Sequence, residues 1–369
     1  STASCSSVTG GQAKCSNYTL TGNKKAFTIN KATPTITLSK SSSGWFNTSE
    51  TFIATVKSGT GTISGTLSAE SSDTSKATVS PETKSLSSVD NTNGAKTTIT
   101  VAGMSDGTSK ITVNFKPMDT VNYNDAVVKT YTANVDKHAP IFKSGITRYI
   151  KNTENGSYEA ANGSQDWAHY ATKLEWSFQE SYSGIKEIQY ELNGNGKWNK
   201  LDIKPSKDEN IYNYIMERIG ERNDEICLKA IDNAGNESAS RCSYLHTDGT
   251  GPIFKSGITK QIKNTENGSY KAANNSQDWT RYATKLEWSF QESISGIKEI
   301  KYELNENGKW NTLDITPSQD VNIYNYVMER TGERKDKICL KAIDNAGNES
   351  LSRCSYLYID KTKPTMTLS

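Results

Sequence analysis

The sequence predicts an all-β chain of tandem β-sandwiches arranged as an elongated array, and three observations carry that prediction. Short runs of alternating apolar and polar residues recur along the chain, bounded by Gly, Asn, Ser and Thr, whereas few stretches show helical spacing. Residues 140–251 and 252–363 align without a gap and differ at 22 of 112 positions, so one domain follows its own copy. Prolines stand at matching places, Pro34, Pro140, Pro252 and Pro364, each ending a short polar stretch. Proline fixes its own φ and holds its predecessor extended, so these junctions read as stiffened crossings between domains.

Composition bounds the rest. A chain of 369 residues exceeds one small domain and fits about three of ordinary size. Apolar residues make up only 34% and the mean hydropathy is -0.69, yet 18 Tyr, 7 Trp and 8 Phe are spread throughout. That combination describes several thin cores. Net charge is +2 from 43 basic and 41 acidic residues with signs mixed locally, which excludes a basic stripe and argues against nucleic acid. Apolar runs fall far short of the roughly 20 residues that cross a bilayer, so no membrane insertion is expected in this segment. With no recognisable signal or anchor, the chain reads as a mature or excised ectodomain fragment.

Taken in order, residues 1–33 carry Cys5 and Cys15 about a Thr9-Gly10-Gly11 loop and read as the tail of a preceding module. Residues 34–139 form a Ser/Thr-rich module whose strands alternate Thr and Ser with Ile, Val and Phe, as a half-buried antiparallel sheet requires. Residues 140–251 and 252–363 are the two repeats. Residues 364–369, Pro-Thr-Met-Thr-Leu-Ser, match Pro34–Ser39 and read as the start of another module of the first type.

Within the first repeat, Leu174, Trp176 and Phe178 share one strand face and point to an inter-sheet core, followed by Ile188, Tyr190 and Leu192 on a second strand. A Gly-Asn-Gly-Lys turn leads to Trp198, and a tyrosine-rich strand to the hairpin Ile226–Leu245. The hairpin sets Cys227 before an Asn/Gly turn and Cys242 after it, as Cys339 and Cys354 are set in the copy. Opposed pairs without a CxxC spacing or a nearby His cluster read as disulfides and imply an oxidising, extracellular setting. A three-residue loop, Asn233–Gly235, would pair Cys227 with Arg241. A four-residue loop to Asn236, or a bulge, pairs it with Cys242. Residues 151–172 fit no strand and are expected to form an edge loop with one helical turn near Ser164–Tyr170.

Several stretches resemble bacterial immunoglobulin-like (Big-type) domains of surface proteins. They are the Asp119–Lys137 segment with its Asn-Tyr-Asn element, Ser183–Trp198, Ala230–Asn236 and Tyr358–Pro364. The resemblance implies immunoglobulin-like sandwiches of about seven strands, secreted or displayed on a bacterial cell surface. The added cysteine pairs depart from the family pattern.

Catalysis is not expected. The three histidines are His138, His169 and His246, and the copy replaces His169 by Arg281 and His246 by Tyr358. No nucleophile elbow, zinc or phosphate motif occurs. Calcium is the chemical possibility: Asp136, Asp248 and Asp360 lie in the linkers and Asp232 and Asp344 in the Asp-Asn-Ala-Gly-Asn turns, with oxygens of the kind Ca²⁺ takes. The competing reading is that Asp and Asn in the turns start them by accepting from their own backbone, while the linker aspartates are simply solvated. No other cofactor is expected. Tyr158, Trp167, Tyr170 and their counterparts Tyr270, Trp279 and Tyr282 are candidate ligand contacts, or else cap the sandwich ends or pack against the neighbouring module. Eight N-x-S/T sequons, such as Asn17, Asn47, Asn155 and Asn236, match the Asn/Ser/Thr-rich composition and are expected to stay unmodified in a bacterium.

These features predict a non-enzymatic stalk segment of an adhesin or fibre that projects a binding region, its partners being the neighbouring modules. Strands of about ten residues span roughly 33 Å, so three modules would reach about 100 Å. The alternative is a duplicated pair of binding modules for a host glycoprotein, immunoglobulin or glycan, gaining avidity from linkage. Exposure of both Trp167 and Trp279 on a common face would favour it.

Overall fold

The computed structural model describes residues 30–163 and 166–366. Every regular element among them is a strand, gathered into six sheets that pair into three immunoglobulin-like β-sandwiches in series. The expected Cys5–Cys15 pair lies outside the described residues.

The first sandwich sets a sheet of Thr35–Leu38, Ser49–Lys57, Ala95–Gly103 and Ala77–Ser80 against one of Ser42–Phe46, Lys129–Val135, Gly107–Pro117, Ile63–Ser71 and Thr83–Val89. Alternation puts Phe52, Val56, Ile99, Val101, Ile111, Val113 and Tyr131 inward, and all are fully buried. The Phe52 and Tyr131 rings stack 4.3 Å apart across the sheets.

Each repeat is built alike. One sheet of the first orders Glu159–Ala160, Ile141–Lys151, Ala171–Gln179, Ile211–Ile219 and Ser206–Asp208; the other orders Asn199–Leu201, Ile185–Leu192, Arg222–Asp232 and Arg241–Thr247. The second repeats both orders 112 residues later, from Ile253–Lys263 to Arg353–Ile359. Nine named strands per repeat exceed the expected seven because two- and three-residue edge strands add to the main ones. Leu174, Trp176 and Phe178 are buried as expected, with Tyr212, Tyr214 and Met216 from the adjacent strand. The Trp176 and Tyr214 rings stack at 5.6 Å. Ile188 is buried, and Tyr190 and Leu192 pack half-buried against the same core. Each sandwich has a core of its own.

Both repeat hairpins carry their disulfides, Cys227–Cys242 and Cys339–Cys354. The cysteines face each other directly in the ladder, with Leu228 opposite Arg241. Nearer the turn the count differs by one: Ile231 bridges Glu237, the Ser238 N–H donates to Ala230 O, and the Ala230 N–H donates to the Ser238 hydroxyl oxygen. One extra residue on the return strand therefore reconciles the short turn with the disulfide, which is the bulge alternative.

No helical turn forms at Ser276–Tyr282 in the second repeat. Instead Thr280 bridges Ile359 in parallel, as Ala168 bridges Thr247 in the first repeat. The Asp248 and Asp360 N–H groups donate to the carbonyls of Ala168 and Thr280. Pairing with the last strand satisfies backbone groups that a single helical turn would leave open.

Candidate metal centre at the module junctions

Each junction gathers three buried carboxylates, one from the outgoing sandwich and two from the incoming one. At the first, Asp136 follows strand Lys129–Val135, and its N–H donates to Phe46 O at 3.0 Å. Glu180 follows strand Ala171–Gln179, its N–H bonded to Asn210 O at 2.9 Å. Asp232 ends strand Arg222–Asp232, where Gly235 at φ 91° closes the turn. The relative exposures of the three are 0%, 4% and 0%, and one carboxylate oxygen from each lies within 4.8 Å of the others. Asp248, Glu292 and Asp344 repeat the arrangement at the second junction.

Backbone amides hold these side chains. Asp136 Oδ1 accepts from His138 N and Oδ2 from Ser183 N, both at 3.1 Å, so this one carboxylate ties the two sandwiches. Glu180 Oε1 accepts from Tyr182 N at 2.7 Å. Asp232 Oδ1 accepts from Ala234 N and Asn236 N at 2.9 and 2.8 Å. The Asn236 amide donates to Asp232 Oδ2 at 2.8 Å and to Asp136 O at 3.0 Å, locking turn to linker. Asn348 does the same with Asp344 Oδ2 and Asp248 O, both at 2.9 Å. Self-capped turns, the competing reading of Asp232 and Asp344, are thus present alongside the clusters.

Among the described residues, none of the ion pairs reaches either cluster. Burial, followed by the Asp136 and Asp232 charges, pushes the Glu180 carboxyl above its usual value against the opposing Tyr182 N–H. Glu292 is raised in the same way beside Asp248 and Asp344, and burial likewise raises Asp344. Three like charges this close, out of water, call for protons or a cation. The geometry fits a hard divalent ion. Calcium takes oxygens at about 2.3–2.6 Å, so ligands on opposite sides of it stand about 5 Å apart. Carboxylates clustered within 4.8 Å can share one such ion.

Four of the five aspartates singled out from the sequence enter these clusters. Asp360 does not: it is exposed, accepts from Thr362 N at 2.9 Å, and meets no second carboxylate in such a cluster among the described residues. Glu180 and Glu292 were not singled out. Each follows a core strand directly, in a Gln-Glu-Ser sequence that looks like an ordinary solvated loop.

The candidate ligand aromatics pack on their own sandwiches. Trp167 is half-buried and stacks on His246 at 4.7 Å, whereas Trp279 packs tilted against Tyr358 at 4.8 Å and is 48% exposed. The pair therefore does not present two matching exposed rings. Tyr158 and Tyr170 flank Lys151 at 5.5 and 5.3 Å, and Tyr270 and Tyr282 flank Lys263 at 5.7 and 5.2 Å.

No protein-family model matches the chain, and no curated protein matches it. Among solved structures, a bacterial ice-binding adhesin involved in host cell surface retention is similar at 13% identity and a TM-score of 0.30, covering 90% of this chain and 99% of that one. The FN1–FN3 domains of chicken CNTN1 match at 11% identity and a TM-score of 0.27, covering 88% and 99%. The E. coli chaperone DraB matches at 10% and 0.23, covering 57% and 98%. Likenesses with TM-scores this low carry no argument about function, and the fold described above rests on the sheets themselves.

Proposed function

We propose that this chain is a non-enzymatic stalk segment of a secreted or surface-displayed bacterial protein, whose junctions are stiffened by calcium held between successive sandwiches. The observation that carries this reading is the recurrence of a buried three-carboxylate cluster at both junctions, drawing ligands from both sides. A hard cation there would neutralise most of the crowded charge and tie Asp136 or Asp248 to the sandwich that follows. The cross-strand disulfides support the extracellular setting, since such bonds persist where the medium is oxidising. They pin the last strand of each repeat just before its exit, where a pulling force enters.

Calorimetric titration of the full chain with calcium tests the reading: two bound ions per chain are expected, with small-angle scattering showing a narrower range of end-to-end lengths than in chelator. A chain that binds no calcium, or whose scattering ignores it, refutes the stiffening.

A further inference from the structure

The exit pole of the second repeat carries an open cavity of about 680 Å³, lined by Asn264, Trp279, Arg281, Asp360, Thr362 and Lys363 among others. The corresponding pole of the first repeat shows what such a cavity receives. There His169 Nε2 meets Ala346 O of the next sandwich, and Asn348 Nδ2 donates to Asp248 O at 2.9 Å and Thr250 O at 3.4 Å. The Gly251 backbone lies so near that a Cβ on it would stand 2.5 Å from Glu349 O. His169, Asp248, Thr250 and Gly251 correspond to Arg281, Asp360, Thr362 and Lys363. The cavity is thus the counterpart of an interface filled elsewhere in the same chain.

Which sandwich fits follows from the linker. Asp360-Lys361-Thr362-Lys363-Pro364-Thr365-Met366 runs parallel to Asn30-Lys31-Ala32-Thr33-Pro34-Thr35-Ile36, the stretch that enters the first sandwich. There, Lys31 Nζ donates to Thr120 O at 2.7 Å. The Ala32 N–H donates to Asn122 O, the Asn124 N–H donates back to Ala32 O, both at 2.9 Å, and Asn124 Nδ2 reaches Thr33 Oγ1 at 3.1 Å. The gripping turn is capped by Asp119, which accepts from Val121 N and Asn122 N and from Asn122 Nδ2. Asp232 caps its turn with a similar set, Ala234 N, Asn236 N and Asn236 Nδ2, in a turn one residue longer.

We propose that the exit pole of the second repeat is a socket for the Asp119–Asn124 type of entry turn on a following sandwich of the first kind. Lys361 holds a turn carbonyl as Lys31 holds that of Thr120, the Thr362 backbone bridges the turn as Ala32 does, and the incoming loops cover Trp279. Arg281, Lys361 and Lys363 replace His169, Gly249 and Gly251 and give the rim a positive excess that suits the acidic turn. This inference rests on the serial-array reading but not on the cation, so its test uses no metal.

The test extends the full chain: residues 1–363 followed by a second copy of residues 34–139. Amide exchange at Thr280, Arg281 and Lys361–Lys363 is expected to slow by about tenfold or more relative to the present chain, and Lys361→Ala to reverse part of that. A second chain, residues 1–359 joined to 30–139, keeps the added sandwich's own entry linker and guards against its failing to fold. Thr280 and Arg281 amides, present in both chains, that gain no protection in either overturn the proposal. So does protection by an added repeat, residues 252–363, but not by the first-type sandwich. N-acetylneuraminic acid, added to the unextended chain, covers the rival use of an exposed Trp beside cations. Protection of Trp279 by that sugar, with none from the added sandwich, overturns the proposal in favour of a glycan pocket.

Discussion

Replacing Glu292 by Gln should change the sign of its effect with calcium. The Glu292 carboxylate oxygen lies within 4.8 Å of oxygens from both Asp248 and Asp344. At an effective dielectric of about 20, two unit charges at that separation repel by about 3.5 kcal/mol. Burial already favours the protonated form of Glu292, which relieves much of this. In chelator the variant is therefore expected to gain about 1 kcal/mol. In calcium at about 100-fold over its dissociation constant, the ion stabilises the wild-type fold by about 2.7 kcal/mol, and losing one ligand forfeits most of it. Calorimetric unfolding of the full chain, in chelator and in calcium, reads both effects on the last sandwich. Glu180→Gln should do the same at the first junction. An effect of one sign under both conditions would refute the idea that the cluster is built around a cation.

Three further outcomes follow from the same geometry. Burial raises the Glu180, Glu292 and Asp344 carboxyls, so the folded chain without calcium binds protons that the unfolded chain releases. The stability these three groups contribute is full below the ordinary carboxylate value of about 4 and declines as pH rises through the raised values, whereas acid removes the contribution of calcium. Because Glu50, Asp73, Asp90, Asp119 and Glu299 are lowered and act the other way under both conditions, the check is the difference between pH-scanned unfolding in chelator and in calcium. Gly251→Ala places a Cβ 2.5 Å from Glu349 O and 2.9 Å from its carbonyl carbon, backbone atoms that cannot swing aside, so the second junction must shift. Distance distributions between labels across that junction should broaden, and unchanged ones would count against the close approach. Replacing both Cys227 and Cys242 by Ser opens a link across 15 residues and should lower stability by about 3 kcal/mol, read as an earlier denaturant midpoint. A midpoint that did not move would show that the bond constrains little.

The fold was legible because its signals are periodic and local. Leu174, Trp176 and Phe178 announce a buried strand face by spacing alone, and the gapless repeat gives the 112-residue offset at which both sheet orders recur. The hairpin register was legible only as alternatives, since one extra residue between Ser238 and Arg241 leaves no mark in composition. The helical turn expected near Ser164–Tyr170 gives way at Ala168 to pairing with the last strand, a partner some 80 residues away that no local spacing announces. Asp136 and Asp232 could be suspected from linker and turn chemistry. Glu180 could not, because only the meeting of three loops from two sandwiches sets it apart from any other surface glutamate.

The uneven make-up of the junctions, one aspartate from behind and a Glu–Asp pair from ahead, gives the first repeat a receptacle at one end and a matching plug at the other. Between the first sandwich and the last repeat, a repeat copied or deleted in frame between two prolines leaves each joint with its three carboxylates. Inner copies can therefore be added or removed without changing the carboxylates of a joint, and two neighbouring copies that differ at only 22 of 112 positions are what such a history leaves behind.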